Sequence, residues 1–343
     1  MAEITSKEQL GKLRDYEKGY FATRLIAIGI ELGLFEKIDA AKEGITTIDL
    51  AGQLALHEPY VKIWCQTAYA WELLDCDDKG KFGLPPGLNE VLVDKTNPRN
   101  YEANIYFTIK LLGPMFDKYP EFFKSGERLF AFSNPEMGKA SATATQNFFP
   151  IVNKAIIPKV EGLKEKMEAG AKILDVGCGW GTLMTKLAQT YNNSSFIGVD
   201  PDENGIKETK RLIKEFGLED RVSAECLGGE SIGYNEEFDA STMMVVLHEI
   251  YPELKSKALE NIYQALKKDG KLIIWDHAFP NKIEDFRNPL YEYGIVDEWY
   301  EVPMGTIHQT PTELDHMLSD CGFKDINRFP LGKGMFEVIV ANK

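Results

Sequence analysis

The stretch Lys172-Ile-Leu-Asp-Val-Gly-Cys-Gly-Trp-Gly181 decides the fold of this chain. Its apolar residues predict a short buried strand from Ile173 to Val176. The glycines that follow predict a turn, and a helix from Thr182 to about Thr190 comes next. Glycines at alternate positions allow positive φ angles and let the backbone approach a ligand, because no Cβ atom blocks either. Since the first amide groups of the helix point at the turn, the pattern predicts a ligand-binding turn rather than a purely structural one.

A second acidic residue follows at the spacing of a nucleotide-binding fold. The apolar segment Phe196-Ile-Gly-Val199 predicts the next strand, and Asp200 ends it 19 positions after Gly181. An acid about 20 residues beyond such a turn bonds the ribose hydroxyls of the ligand. The glycine spacing is G-x-G-x-G, whereas dinucleotide sites use G-x-G-x-x-G and hold a pyrophosphate. With Asp175 as its leading acid, the turn resembles motif I of class I methyltransferases, whose cofactor S-adenosylmethionine (SAM) has no phosphate.

Composition and charge exclude several classes of partner. The chain has 343 residues, enough for two domains, with 44% hydrophobic and 27% charged residues, as in globular proteins. A net charge of −14 argues against nucleic acid and anionic membranes, since both need clustered Lys and Arg. The charged N-terminal segment lacks a signal peptide's apolar core, and no apolar run approaches the ~18 residues of a membrane span. The five cysteines are scattered without a C-x-x-C pair, so we expect a cytoplasmic protein with no metal site.

The first hundred residues predict a winged-helix arrangement. Apolar residues at helical spacing predict a first helix over 15–38. Shorter helices follow over 48–54, after a capping-box-like start, and over 59–74, where a proline suits the first helical turn. The turn residues 77–81 then predict a hairpin.

A winged-helix arrangement can bind DNA, or its helices can pack against other protein surfaces. The second helix of the pair offers one base, Lys62, against Glu58 and Glu72, so it lacks the charge that phosphates require. Trp64 and Trp71 lie seven positions apart on one face of this helix. We expect a homodimer interface there, with ordinary core packing as the alternative.

The segment 101–168 is predicted to be helical with breaks at five prolines, and it is rich in phenylalanine. We expect some of these side chains to line an apolar pocket and most to be core: Phe107, Phe116, Phe122, Phe123, Phe130, Phe132, Phe148 and Phe149. The predicted domains are therefore a winged-helix dimerisation domain at 1–100, a helical linker that contributes to the acceptor pocket at 101–168, and a SAM-binding domain at 169–343.

From residue 171 onward, short apolar strands alternate with helices. The predicted strands are 173–176, 196–199, 222–226, 239–246, 271–276 and 335–341, and the helices lie near 182–190, 204–216, 254–267 and 311–321. This alternation predicts an α/β, Rossmann-like doubly wound domain with a mainly parallel sheet. Ligands bind such sheets at the carboxyl ends of the strands, where Asp175, Asp200, His248 and Asp276 are expected.

Nearly the whole chain resembles the small-molecule O-methyltransferases of the plant phenolic, acetylserotonin and bacterial tailoring type. The resemblance is carried by Ala27-x-x-x-Glu31-Leu-Gly-Leu-Phe35, Asp175–Gly181, Gly198-Val-Asp200, Phe238-Asp239, Leu247-His248-Glu249, Asp269–Asp276, and Thr310-x-x-Glu313 before Cys321-Gly322-Phe323. It implies a class I SAM-binding domain that follows a winged-helix dimerisation domain. It also implies that Asp175, Gly177, Gly179, Asp200 and Pro201 hold the cofactor.

The resemblance also assigns candidate catalytic residues. His248 matches the family's general base, and a neutral imidazole can accept the proton of a hydroxyl at cellular pH. Asp276 matches the acid that fixes its tautomer, whereas His308 stands where the family has a second acid. Gly228 likewise stands where the family has the acid that meets the adenine amino group, and we expect Glu230 to substitute for it.

These features together predict a cytoplasmic, homodimeric SAM-dependent methyltransferase. Its partner is a small, partly apolar acceptor, most simply at a hydroxyl oxygen with His248 as base. One alternative is a thiol, nitrogen or carbon acceptor, because the residues around the base depart from the family pattern. An alternative of another class is a winged-helix regulator that binds SAM as a sensor.

Overall fold

The chain divides into two compact units, Met1–Asp117 and Lys118–Lys343. A computed structural model describes residues 5–97, 99–129, 135–145 and 147–343. The predicted linker 101–168 is divided between the two units, and the predicted domain boundaries remain a prediction. Of the phenylalanines expected to line a pocket, Phe130 and Phe132 lie outside the described residues.

The first unit is mostly helical with a two-stranded hairpin, as the winged-helix prediction requires. Its helices are α1 (Ser6–Glu31), α2 (Leu34–Ala40), α3 (Thr47–Leu54), α4 (Glu58–Ala70), α5 (Leu88–Leu92), α6 (Glu102–Tyr106) and α7 (Gly113–Phe116), with a π-helix at Phe107–Leu112; its strands are β1 (Asp75–Cys76) and β2 (Phe82–Gly83). The predicted helix over 15–38 is two helices, because Gly33 adopts a φ of +68° that breaks the helical path.

Local signals explain where these elements begin. Thr46 caps α3 by accepting a hydrogen bond from the amide of Asp49 at 3.1 Å, and its hydroxyl donates to the Asp49 carboxylate at 2.6 Å. The hairpin pairs Asp75 with Gly83, and its loop turns at Gly80 with a φ of +74°.

Trp64 on α4 has a different role from the one predicted. The Trp64 indole is buried, donates to the carbonyl oxygen of Leu25 at 3.0 Å, and packs edge-on against Phe35 with ring centroids 5.2 Å apart. Trp71 is half-buried against the same core. The expectation of an interface at Trp64 was therefore wrong, since this ring completes the core of the first unit. Exposed apolar side chains lie along α1, where Tyr16 is 72% exposed, and at other positions of α4, where Ile63 is 61% exposed.

The second unit is a seven-stranded sheet with helices on its faces. Its strands are β3 (Lys172–Val176), β4 (Ser195–Asp200), β5 (Val222–Cys226), β6 (Phe238–Met244), β7 (Leu266–His277), β8 (Lys324–Leu331) and β9 (Phe336–Asn342). Its helices are α8 (Tyr119–Ser125), α9 (Pro135–Ala144), α10 (Phe148–Ile151), α11 (Leu163–Ala169), α12 (Thr182–Thr190), α13 (Glu203–Glu215), α14 (Pro252–Ala265), α15 (Glu292–Glu301) and α16 (Pro311–Asp320). The strand order is β5-β4-β3-β6-β7-β9-β8, in which β9 runs antiparallel to both neighbours.

This order confirms the doubly wound α/β prediction and locates its switch point. Since β3 pairs with β4 on one side and with β6 on the other, the carboxyl ends of these three strands border one crevice. The edge strand β8 was missed, because none of its residues is buried and its first five positions are mostly charged or polar. Within the described residues, no helix combines the length and apolar character needed to cross a bilayer.

Candidate active site

A cavity of about 280 Å³ lies at the carboxyl ends of β3, β4 and β6. All six residues predicted to hold the cofactor line it: Asp175, Gly177, Gly179, Asp200, Pro201 and Glu230. The fold thus brings these residues together, and their individual contacts with a cofactor remain predictions.

In the glycine-rich turn, two glycines pack against neighbouring side chains and one faces open space. Gly177, Gly179 and Gly181 have φ angles of +73°, +53° and +71°. A Cβ atom at Gly177 would lie 2.5 Å from a methyl carbon of Val246, and one at Gly181 would lie 2.5 Å from a carbon of Thr209. A Cβ atom at Gly179 would meet nothing within 4 Å. Gly179 therefore leaves room in the cavity wall, whereas Gly177 and Gly181 let the turn pack closely against Val246 and Thr209.

Asp200 holds the turn from the neighbouring strand. Its two carboxylate oxygens accept hydrogen bonds from the amides of Gly179 and Asp202, each at 2.8 Å. Burial raises the pKa of Asp200, and these two hydrogen bonds partly oppose the rise. Because each carboxylate oxygen has a second lone pair, the side chain can still accept bonds from ribose hydroxyls.

Asp175 is the leading acid of the turn and is almost fully buried. Its Oδ1 atom accepts a hydrogen bond from the hydroxyl of Thr242 at 2.7 Å. Burial raises its pKa to about 6, and the charge of Asp200 adds to this shift. A cationic ligand in the cavity would relieve the cost of burying this charge.

Glu230 occupies the space left by an absent side chain. It lies on the 3₁₀ turn Gly229–Ser231 after β5, and a Cβ atom at Gly228 would come within 2.5 Å of its carboxylate. The two positions therefore share one space in the cavity wall. The substitution of Glu230 for the acid expected at Gly228 remains a prediction.

The three predicted catalytic residues meet in a buried group away from the cavity wall. The histidine cluster consists of His248, His277, His308, Asp276, Asp297 and Glu301, all buried. The His248 ring is 2% exposed and does not line the 280 Å³ cavity; it borders a separate space of about 30 Å³. Glu249, the next residue, lines the larger cavity.

The backbone conformation places the side chains of His248 and Glu249 in different spaces. Val245 has a φ of +62°, which is unusual for a β-branched residue, and its amide donates to the carbonyl oxygen of Trp275 at 2.6 Å. The chain then turns into the 3₁₀ segment Leu247–Glu249. The buried Lys255 ammonium donates to the carbonyl oxygen of His248 at 3.3 Å and so holds this turn in place.

The acids and imidazoles of the cluster lie close enough to shift one another's pKa values. The His248 Nδ1 atom lies 2.7 Å from Asp276 Oδ1. Burial alone lowers the pKa of His248, but the acids Asp276 and Glu301 outweigh it and raise this pKa well above its usual value. Burial and the neighbouring charge of His248 lower the pKa of His308 to about 3. This shift favours the imidazolium form of His248, which has no free lone pair with which to accept a proton.

The sequence patterns missed three members of this group. His277 follows Asp276 at the end of β7, and Asp297 and Glu301 lie one turn apart on α15. The spacing of Asp297 and Glu301, with both acids on one helical face, was the available signal. The role of His248 as a base stays a prediction.

Comparisons with known proteins agree with this architecture. The methyltransferase domain family matches residues 173–270. The carboxy-S-adenosyl-L-methionine synthase of Nautilia profundicola is 26% identical over 220 residues, which cover 60% of this chain and 91% of that protein. Two solved structures are similar in fold: an O-methyltransferase family protein from Burkholderia thailandensis (TM-score 0.78, 16% identity, 99% of both chains) and human N-acetylserotonin methyltransferase in complex with SAM (TM-score 0.75, 16% identity, 100% of this chain and 99% of that one).

The fold, the cavity and the matched domain define a class I SAM-dependent methyltransferase. The chain has the two-domain architecture of the O-methyltransferases, and its cofactor is SAM. The predicted fold class, enzyme class and cofactor are thereby confirmed.

Proposed function

We propose that this methyltransferase transfers a methyl group to a hydroxyl oxygen of a small, partly apolar acceptor. The cavity carries the proposal, because the wall formed by the glycine-rich turn is joined there to a wall of apolar side chains. The second wall includes Phe148, Met244, Tyr251, Leu254 and Met304. An acceptor could bury its apolar part against these residues while its hydroxyl group points toward the cofactor.

The residues of the first wall fit SAM. The cofactor supplies an electrophilic methyl group on a sulfonium cation. Asp175 and Asp200 provide acidic groups that complement its ammonium and ribose groups, and Gly179 leaves space for close approach. With the cofactor held this way, methyl transfer depends mainly on alignment of the acceptor oxygen with the methyl carbon.

Two side chains are candidates for accepting the hydroxyl proton. Glu249 already lines the cavity and could meet a bound hydroxyl directly. Burial and the charge of Glu301 raise the pKa of Glu249 well above its usual value, which makes its ionised form a stronger base. His248 is the predicted base, with Asp276 and His308 beside it, but its ring would have to turn out of the histidine cluster to reach the acceptor. We therefore assign the proton to Glu249 and keep His248 as the alternative.

The reaction is tested by incubating purified protein with methyl-labelled SAM and a metabolite extract. Mass spectrometry of the labelled product should show a methoxy group. Label on sulfur, nitrogen or carbon would refute the hydroxyl acceptor. SAM binding without transfer to any component would favour a SAM-sensing regulator instead.

The proton acceptor is tested by comparing Glu249→Gln with His248→Gln. If Glu249 is the base, its substitution should lower kcat by roughly 10²- to 10⁴-fold while SAM affinity is kept. The reverse result, in which His248→Gln gives this loss and Glu249→Gln does not, would return the role to His248. Asp276→Asn should then have a smaller effect in the same direction, because it loosens the imidazole without removing it.

We further propose that the chain forms a homodimer through α1 and works in the cytoplasm. Leu13, Tyr16, Tyr20 and Phe21 of this helix are each more than half exposed. Exposed apolar side chains in such number favour a protein contact. Light scattering should find a dimer at micromolar concentration, and Tyr16→Glu with Tyr20→Glu should produce a monomer. A monomeric wild type would refute the proposal.

A further inference from the structure

We propose that the histidine cluster is a binding site for one first-row transition metal ion such as Zn²⁺, held by His248, His277, His308 and Asp297. The proposal does not depend on methyl transfer. It rests on the positions of four side-chain atoms, on one unsatisfied oxygen, and on the group behind His248.

Four of the six distances between the donor atoms are close to those of a tetrahedral site. Asp297 Oδ2 lies 3.2 Å from His277 Nδ1, 3.4 Å from His248 Nε2 and 3.7 Å from His308 Nε2. His277 Nδ1 and His308 Nε2 are 3.2 Å apart. Tetrahedral ligands at about 2.0–2.1 Å from Zn²⁺ are separated by roughly 3.3–3.4 Å, which is close to these four distances.

Asp297 contributes an oxygen that the described residues leave unsatisfied. The residue is 5% exposed, and its Oδ1 atom accepts a hydrogen bond from the hydroxyl of Tyr300. Its Oδ2 atom accepts none of acceptable geometry, although three imidazole nitrogens surround it. A buried carboxylate oxygen without a partner is costly, and a metal ion at the centre of the three rings would satisfy it.

The surroundings of His248 match the outer shell of a metal site. Asp276 Oδ1 lies 2.7 Å from His248 Nδ1, so Nε2 faces Asp297 and the other rings. A carboxylate on the far ring nitrogen orients metal-binding histidines and raises their basicity. Glu301 Oε2, 3.9 Å from His248 Nε2, is positioned as a further oxygen donor. Nitrogen and oxygen donors without thiolate are a usual set for zinc and related ions.

The assignment also explains why the site was absent from the sequence patterns. His248, His277 and His308 are separated by 29 and 31 positions, so no metal-binding motif is visible. The three residues come from the turn after β6, the end of β7 and the loop before α16. If the ion is present, the Nε2 lone pair of His248 is a metal ligand and is not available to an acceptor.

The test measures metal binding by the full-length protein. Metal is first removed with a chelator; Zn²⁺ is then titrated by calorimetry, and Co²⁺ is added as a spectroscopic probe. Wild-type protein should bind one equivalent and give the intense visible absorption of four-coordinate Co²⁺. Saturating Zn²⁺ should also raise the unfolding temperature.

Substitutions distinguish metal binding in the histidine cluster from metal binding by exposed histidines. Asp297→Asn and His308→Gln should abolish stoichiometric binding, and Asp276→Asn, behind His248, should weaken it roughly 10- to 100-fold. His57→Gln and His316→Gln are matched controls, because both residues are exposed and lie outside the cluster. Glu249→Gln should keep full binding, so a failure of the proposed proton acceptor is distinguishable from a failure of the metal site.

Circular dichroism of each variant checks that it is folded. If Asp297→Asn or His308→Gln unfolds, the folded Asp276→Asn variant and the Co²⁺ spectrum of the wild type decide the question. Wild-type protein that binds less than one equivalent would overturn the proposal. So would binding that survives the cluster substitutions and is lost in the His57 or His316 variant.

Discussion

Replacing Asp175 by Asn should make the protein more stable at neutral pH and weaken its binding of SAM. Asn is nearly isosteric and can still accept the hydrogen bond from Thr242. The substitution removes a negative charge that the fold keeps away from water. A buried charge retained against stability is typical of a functional group.

The size of the effect follows from the pKa of Asp175. In the folded protein this pKa is about 6, against 3.8 for an ordinary Asp. The folded state therefore binds the proton more tightly, so stability from this group is full below pH 3.8 and is lost as the pH rises through 6. A difference of about 2 units at 1.36 kcal/mol each corresponds to about 3 kcal/mol at pH 8. At pH 5 about half of this difference should remain.

Urea unfolding of wild type and variant at pH 5 and pH 8 measures this difference in free energy of unfolding. Asp239→Asn is the matched control on the same sheet. Burial raises the pKa of Asp239, but the Lys172 amide and the ammonium groups of Lys267 and Lys166 outweigh it and lower this pKa. Asp239→Asn should therefore lose stability at pH 8. An Asp175→Asn variant no more stable than wild type at pH 8, or with a gain unchanged at pH 5, would refute the reasoning.

Three further substitutions test other parts of the site. Gly177→Ala should lower the free energy of unfolding by about 2–5 kcal/mol, because the new methyl group strains the backbone and clashes with Val246. Gly179→Ala should lower it by only about 1–2 kcal/mol, through backbone strain alone. Equal losses in urea unfolding would contradict the difference in packing between the two glycines. Asp200→Asn should weaken SAM binding by about 1–3 kcal/mol in calorimetry, and unchanged affinity, or tighter binding of NAD than of SAM, would exclude Asp200 as a ligand. Lys255→Met should destabilise the fold by about 2–4 kcal/mol, because it leaves a buried acceptor at His248 and a half-buried one at Gln309 unpaired. A neutral result by thermal unfolding would show that these acceptors find other partners.

The elements that the sequence alone determined are those with local causes. The turn at Gly177 needs positive φ and no Cβ atom, Thr46 caps the helix that follows it, and the hairpin turns at Gly80. In each case the residue's own conformational preference or a hydrogen bond to a near neighbour sets the structure. The alternation of apolar strands and helices extended this to the doubly wound sheet, because right-handed crossovers leave few other topologies.

Other features were decided by the tertiary structure, because they depend on residues far apart in the chain. Whether Trp64 packs inside or outside depended on Leu25 and Phe35, which are separated from it by 39 and 29 positions. The sequence identified His248 as a reactive group near a strand end, but the left-handed turn at Val245 sends its ring to the histidine cluster and sends Glu249 to the cavity. Composition and spacing show which reactive groups a chain carries, and the direction in which each side chain points depends on the folded backbone.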